Sequence, residues 1–207
     1  VNQIQINALL RSVQEYADRN NGKIYAPIDH PQFASFRSHH GPERFEPIQK
    51  NIPSGARTAL DIGTHWGYFA HRLEQSGLQV TAVESLKSYL PYLYSIRTLY
   101  GDKFEIVDGS FFSMERPLDY DVVLALNIFH HFIKTEALHS ELQAALARLK
   151  CKILFFQSHS VREGQMENSH KNYTPADFCE FIVEHCPSLS HFEKIGDFKS
   201  RPMFKIT

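Results

Sequence analysis

The chain is poor in cysteine and lacks any long apolar run. Cys151, Cys179 and Cys186 are odd in number and show no C-x-x-C spacing, which argues against both a disulfide framework and a zinc site. No stretch approaches the roughly 20 apolar residues that span a bilayer, and no signal-peptide pattern follows Val1. Together these absences lead us to expect a reducing, cytoplasmic setting. A dominant charge is missing as well. The 22 Lys and Arg residues face 23 Asp and Glu, for a net charge of −1, so no global basic field advertises nucleic-acid binding. Two phosphate-gripping patterns are also missing: the G-x-G-x-x-G dinucleotide fingerprint, and a glycine loop ending in Gly-Lys-Ser or Gly-Lys-Thr. There is no internal repeat and no low-complexity tract.

The composition that remains is that of one compact domain. The 207 residues are 43% hydrophobic and 22% charged, enough to bury a core. The apolar run Thr58-Ala59-Leu60 leads into Asp61-Ile62-Gly63-Thr64-His65-Trp66-Gly67. This reads as a buried strand that breaks into a glycine turn and opens a helix. A second strand-like run, Gln79-Val80-Thr81-Ala82-Val83, ends at Glu84. Strand, glycine loop, helix and a strand with a terminal acid make a nucleotide-binding βαβ unit. Its glycines let backbone approach a ligand without an intervening Cβ, and the Glu84 carboxylate can accept from both hydroxyls of a ribose.

Periodicity extends the pattern. Ile6, Leu9, Leu10, Val13 and Tyr16 fall at helical spacing, with Asn20-Asn21-Gly22 as a stop. Lys23 to Pro53 shows no clear period and reads as a covering loop with short helical pieces, in which Arg37, His39, His40, Arg44 and Phe45 cluster. Strands are expected at Thr58–Ile62, Val80–Val83, Phe104–Val107, Asp121–Leu126 and Ile153–Phe156. Helices are expected over Tyr68–Ser76, Ser88–Tyr100 and Thr135–Lys150, and from Thr174-Pro175, a Thr cap with Pro at the first helical position. Two late strands near Phe192–Ile195 and Met203–Ile206, joined by a short segment, imply an antiparallel finish. Alternating strands and helices imply a largely parallel sheet.

The spacing Asp61-x-Gly63-x-x-x-Gly67 resembles motif I of the class I S-adenosylmethionine-dependent methyltransferases, with His65 standing where that family often has a further glycine. Ile106-Val107-Asp108-Gly109-Ser110 resembles the loop after its third strand, and Asp121 to Asn127 its fourth strand. Asn127-Ile128-Phe129-His130-His131-Phe132, Gly196-Asp197-Phe198 and Arg201-Pro202-Met203-Phe204 resemble the methyltransferase domains of bacterial polysaccharide chain-capping enzymes. The resemblance implies an α/β, Rossmann-like, seven-stranded and mostly parallel sheet with an antiparallel last strand. Helices cover both faces, and the strand order is three-two-one-four-five-seven-six. Residues 1–53 would form an N-terminal helical cap and 54–207 the methyltransferase core. S-adenosylmethionine would be the cofactor. Asp61, Gly63, Thr64 and Gly67 would line its methionine side, with Glu84 at the ribose and Asp108 with Gly109 at the adenine edge. Asn127 would lie beside the sulfur, and Arg44 or Arg37 would pair with the carboxylate.

His130 and His131 are the candidate catalytic residues, since an imidazole after the fourth strand can take a proton from an acceptor hydroxyl. Consecutive residues diverge, so one of the two at most would face the site, and a phosphate acceptor would need no base. Ser158 to Tyr173, with His159 and His170, either walls the acceptor site or is a solvated loop. No metal is expected, because Asn127 lacks an acidic partner in Gln157-Ser158-His159. The expected function is methylation, directed at oxygen, of a small-molecule or glycan acceptor: a sugar, a phosphate or another small polar metabolite. A nucleic-acid methyltransferase and a non-catalytic S-adenosylmethionine-binding subunit stay open. A nicotinamide oxidoreductase is disfavoured by the glycine spacing.

Overall fold

The computed structural model describes residues 2–207. Helix α1 (Gln3–Arg19) starts at a capping box in which the Asn2 side chain accepts from the Gln5 amide and the Gln5 side chain accepts from the Asn2 amide, both at 3.0 Å. It stops at the expected Asn-Asn-Gly turn, where the Gly22 amide returns to the Ala17 carbonyl at 2.8 Å. The next segment is more ordered than its lack of period suggests. Strands β1 (Lys23–Ile24) and β2 (Arg37–Ser38) pair in parallel, and α2 (Phe45–Asn51) follows a short turn at Pro42–Arg44.

A seven-stranded sheet forms the centre. Its elements in chain order are β3 (Thr58–Ile62), α3 (Tyr68–Gln75), β4 (Gln79–Glu84), α4 (Leu90–Tyr100), β5 (Glu105–Asp108), β6 (Leu118–Leu126), α5 (Glu136–Arg148), β7 (Leu149–Gln157), α6 (Pro175–His185), β8 (Phe192–Phe198) and β9 (Arg201–Ile206). The strand order is β5-β4-β3-β6-β7-β9-β8. Counted from β3, this is the expected three-two-one-four-five-seven-six. β9 runs antiparallel to β7 and β8, and the pairings among β3 to β7 are parallel.

Side chains alternate between the two faces. Leu60, Ile62, Val123, Ala125, Leu154 and Phe156 pack with Leu142 and Leu146 of α5 and Phe178 and Ile182 of α6. Ala59, Val122, Leu124, Ile153 and Phe155 pack with Ile48 of α2, Leu73 of α3 and Leu93 of α4. A third cluster joins Leu9, Val13 and Ala17 of α1 to Ile24, Phe33, Trp66 and Ile96, which lays the N-terminal segment over α4 and the loop after β3.

Several boundaries differ from the sequence expectation: β8 runs on to Phe198 and β9 begins at Arg201, so the segment joining them is shorter than expected. β6 begins at Leu118 rather than Asp121, and β7 begins at Leu149, where helix was expected through Lys150. Leu149 pairs with Leu118 and Cys151 with Tyr120. The buried residues 149 and 151 alternate with exposed 150 and 152, and an apolar Leu149 satisfies a helical period and a strand period equally.

Asp121 ties the middle of the sheet. Its Oδ2 accepts from the Arg57 and Thr58 amides at 2.7 and 3.1 Å, and Lys152 lies 2.7 Å from Oδ1. The Lys152 ammonium and these amides hold its carboxyl down, to about 2 from the ordinary 3.8. A depressed folded value gives stability that is present above the unfolded value and lost as pH falls through the folded one. Asp121→Asn is therefore expected to lower urea-measured stability by roughly 1–2 kcal/mol at neutral pH. The gap to wild type should close as pH falls from 3.8 toward 2.

Candidate functional site

The loop after β3 is held by its own amides. Gly63 turns at φ 71°, and both the Gly63 and Thr64 amides donate to the Val83 carbonyl, at 2.9 and 3.0 Å. The next amide, of His65, donates to Glu84 Oε2 at 2.8 Å, and the Leu86 amide to Oε1 at 2.8 Å. Gly67, at φ 85°, donates to the Thr64 carbonyl at 3.0 Å and opens α3. A Cβ on Gly63 would lie 2.8 Å from Ile128 Cδ1, and one on Gly67 would lie 2.7 Å from Leu93 Cδ1. The four amides of Gly63, Thr64, His65 and Gly67 all serve the protein, whereas a phosphate cradle turns its amides outward to the ligand.

Glu84 is thereby fixed at the end of β4. Burial raises its carboxyl, and the amides of Leu86, His65 and Ser85 oppose that rise. Each oxygen retains a second lone-pair site, so the carboxylate can still accept from a diol. Asp108 is the Cα partner of Glu84 across β4 and β5. Its half-exposed carboxylate is paired with Lys87, while the Gly109 amide donates to the Glu84 carbonyl at 3.0 Å.

Between the loop and the N-terminal segment lies a narrow recess, a cavity of about 20 Å³, lined by Tyr25, Arg44, Asp61, Gly63, Thr64 and His65 among others. Asp61 is buried and accepts from Thr64 Oγ1 at 2.6 Å. Burial pushes its carboxyl up to about 6, against the Thr64 hydrogen bond, with further repulsion from Glu84 and attraction from Arg44. Arg44 comes from the N-terminal segment and is 1% exposed. Its guanidinium lies 4.9 Å from the centre of the Phe69 ring, and its Nε and Nη1 have no hydrogen-bond partner. Burial lowers its pKa, and Tyr25, Asp61 and Glu43 oppose this. Arg37 is exposed on β2, so of the two arginines only Arg44 lines the recess. A guanidinium with two free donors beside a buried carboxylate fits the carboxylate and ammonium of an amino acid. The residues therefore suit the methionine end of S-adenosylmethionine.

A second polar cluster sits at the carboxyl ends of β6 and β7. Asn127 adopts φ 58°, donates its amide to the Gln157 carbonyl at 3.1 Å, and accepts from Arg201 Nη1 at 3.0 Å through Oδ1. Arg201 also grips Glu163 in a bidentate pair, Nε to Oε1 at 2.8 Å and Nη2 to Oε2 at 2.6 Å. His130 is buried and His131 is exposed, so consecutive histidines do point apart. Burial, followed by the charges of His131 and Arg201, lowers His130 to about 2. Burial, Lys134 and Arg201 lower His131. His159 is fully buried and its Nε2 lies 2.9 Å from Asn172 Oδ1, so the start of the Ser158–Tyr173 stretch is not a solvated loop. Asn127 Nδ2, His130 Nδ1, Ser158 Oγ and His159 Nδ1 are buried without partners. Ile128, between the clusters, is the residue that packs on Gly63.

Among the described residues, no group of three His, Cys, Asp or Glu is placed to hold a metal ion, and no helix is long and apolar enough to cross a membrane. Sequence reasoning missed Tyr25, Glu163 and the part played by Arg201. It flagged His65 only as a departure from glycine, which was the available signal.

No family model and no curated protein matches the sequence. Solved structures do match its fold. Monomeric WbdD is 18% identical with a TM-score of 0.73, over 89% of this chain and 46% of that one. Another WbdD structure is described as a bifunctional kinase-methyltransferase. A proposed O-methyltransferase from Nostoc punctiforme is 20% identical with a TM-score of 0.57, over 77% of this chain and 54% of that one. The methyltransferase domain of bacterial CtHen1 is 15% identical with a TM-score of 0.61, over 79% and 96%. The chain thus spans about half the length of WbdD. It carries the Rossmann-like fold of class I methyltransferases.

The strain of burying Asp61 is measurable. A folded value raised from 3.8 to about 6 favours folding below the unfolded value, and this contribution is lost as pH rises through the folded one. Asp61→Asn is expected to be more stable than wild type by roughly 1–3 kcal/mol at mildly alkaline pH. The difference should vanish in urea titrations near the unfolded value of 3.8.

Proposed function

We propose that the chain is an S-adenosylmethionine-dependent methyltransferase acting on an oxygen of a sugar, phosphate or other small polar metabolite, free or at the end of a glycan. The observation that carries the donor assignment is Arg44: a buried guanidinium with unpartnered donors, beside Asp61, at a glycine loop whose amides are already engaged. Such a loop offers nothing to a pyrophosphate, which speaks against a nicotinamide cofactor. The names of the structural relatives WbdD and the Nostoc protein support methyl transfer and, for the latter, an oxygen acceptor.

When bound, the donor supplies a methyl group on a positively charged sulfur. In this reading Arg44 and Asp61 hold its amino-acid end, Glu84 its ribose, and Asp108 with Gly109 its adenine edge, while the Asn127 backbone lies beside the sulfur. Residues 1–53 act as a cap over residues 54–207, contributing Tyr25 and Arg44. The acceptor enters past His130, His131, His159 and Arg201. Burial first, and then nearby cations that include Lys199 and Arg201 for His40 and Lys134 and Arg201 for His131, lower these histidines. A rim of this sign favours an anionic acceptor. Both His130 and His131 are lowered and neutral at physiological pH, His130 to about 2, which leaves the exposed His131 as the one able to accept a proton. Alignment of acceptor and methyl group therefore carries more of the rate than proton removal.

Titration calorimetry tests the donor. Wild type is expected to bind S-adenosylmethionine and not NAD. Glu84→Ala should weaken binding by roughly 1–3 kcal/mol through loss of charge-assisted bonds, and Gly63→Val should abolish it. Binding of NAD alone, or unchanged affinity in both variants, would overturn the assignment. For the acceptor side, His131→Ala is expected to lower turnover while donor affinity holds, and His130→Ala to act mainly on stability. Normal turnover in both would remove the general base.

A further inference from the structure

His65 has no counterpart in the reading so far, because its side chain stands where a glycine would suffice. The residue is at φ 58°, in the left-handed region that a bulky side chain occupies at some cost. Its imidazole is 9% exposed and lies between two tyrosines, 4.2 Å from the Tyr25 ring at an interplanar angle of 23° and 4.1 Å from the Tyr89 ring at 44°. Both ring nitrogens, Nδ1 and Nε2, are buried without a hydrogen-bond partner. Three adverse features therefore coincide in one residue: backbone strain, desolvation of a polar ring, and two unsatisfied polar atoms. A phenylalanine would fill the same slot between the tyrosines without orphaning any polar atom. A glycine would relieve the backbone.

The ring stands beside the proposed donor site. His65 lines the same recess as Arg44, Asp61 and Thr64, and its own amide is bonded to Glu84 Oε2. The ring therefore springs from the backbone position that touches the carboxylate assigned to the ribose. Burial lowers the imidazole to about 3, so it is neutral at physiological pH, with one N–H donor and one bare nitrogen acceptor. The two nitrogens point to diverging sides of the ring, so one ligand group meets one of them, and a hydroxyl suits either, donating to the bare nitrogen or accepting from the N–H. An ammonium suits only the bare nitrogen and a carboxylate only the N–H, and Asp61 and Arg44 already stand ready for those charges.

Resting on the methyl-donor reading above, we propose that His65 is a binding residue for the nucleoside half of the donor, its neutral imidazole hydrogen-bonding a ribose hydroxyl alongside Glu84. The tyrosine pair holds the ring in place for this contact, and one of the two buried nitrogens gains its partner from the ligand.

The test compares two ligands across wild type, His65→Gly, His65→Phe and Arg44→Met, using calorimetry and ligand-induced shifts in melting temperature. S-adenosylmethionine carries both halves, whereas 5′-methylthioadenosine keeps the nucleoside and lacks the amino acid. Both His65 variants are expected to lose roughly five- to tenfold in affinity for both ligands, the size of one hydrogen bond. Arg44→Met should lose affinity for S-adenosylmethionine and leave 5′-methylthioadenosine unaffected. Wild-type binding retained in both His65 variants would overturn the proposal and leave the donor reading intact. Loss in His65→Gly but not in His65→Phe would also overturn it, since the ring face and not its nitrogens would then be what matters. Loss confined to S-adenosylmethionine would move His65 to the amino-acid half and refute the ribose contact. Failure of wild type to bind either ligand would refute the donor reading and His65 with it. Should His65→Phe not fold, His65→Gln removes the ring but keeps a donor and an acceptor, and affinity recovered above that of His65→Gly supports the hydrogen bond. Affinity no better than that of His65→Gly rejects it.

Discussion

The Val83 carbonyl is the fixed point of the site. It is the last interior acceptor of β4, and two consecutive amides of the neighbouring loop, Gly63 and Thr64, converge on it at 2.9 and 3.0 Å. That convergence requires the sharp turn at Gly63, and the turn in turn leaves no room for a side chain against Ile128. The next amide, of His65, reaches the Glu84 carboxylate, so the same β4 end fixes the loop through backbone and side chain together. Asp61, Thr64 and His65, which line the recess from the core side, take their positions from this register of β3 against β4. A loop satisfied internally has no need of a ligand to order it, so the binding surface is preorganised rather than assembled on binding.

Preorganisation here has an energetic cost that core packing offsets. Asp61 sits in a fully buried position with its carboxyl raised, and Arg44 keeps two nitrogens unpaired under the Phe69 ring. Uncompensated burial of such groups costs several kcal/mol each in a nonpolar surrounding. The two do attract one another, and the sheet faces supply compensating apolar burial through the clusters on either side. Buried unpaired polar atoms are rare in native proteins. Among the described residues most of them gather at two places, the recess and the carboxyl ends of β6 and β7, with Arg72 Nε standing apart. Their concentration near the switch point of an α/β sheet is an argument for a ligand site, since ligands bind at this point in such sheets.

What the sequence discloses and what it hides follow from the range of the interactions involved. The main strands and helices, the glycine turn and the acid closing β4 are legible because each depends on residues within a few positions of one another, through period, turn chemistry or cap, whereas the strand order follows from the family resemblance. Thr174 caps α6 through the Asp177 amide at 3.2 Å, as a Thr-Pro start dictates. The join of α5 to β7 is less legible because Leu149 is buried under either period. The clamp of Arg201 on Glu163 and Asn127 spans 38 and 74 residues, and no local pattern encodes it. The same holds for Tyr25 stacking on His65 across 40 positions, and for His159, whose burial depends on Asn172 and on packing against Phe178. Polar residues in a long connection read as solvated until the tertiary partners that bury them are known.

The two clusters differ in electrical character, and under the proposed reading the difference has a chemical consequence. The recess holds a carboxylate, a guanidinium and an aromatic stack around a neutral imidazole, and its charges are arranged as a pair. The acceptor side carries Arg201 and Lys134 beside His130 and His131, whose values burial lowers first. Transfer of a methyl group from a sulfonium to an anionic oxygen neutralises both charges. A strongly solvating environment would therefore stabilise the ground state more than the transition state. Neutral histidines leave the reacting centre without a full positive charge, while the cations set back from it attract the anion. Glu163 neutralises the nearest cation, Arg201, in a bidentate pair, leaving the guanidinium as a rigid positioning element whose third nitrogen holds Asn127 in its left-handed turn. The residue that follows Asn127, Ile128, closes against Gly63, so the acceptor wall and the donor loop are set by one continuous packing contact.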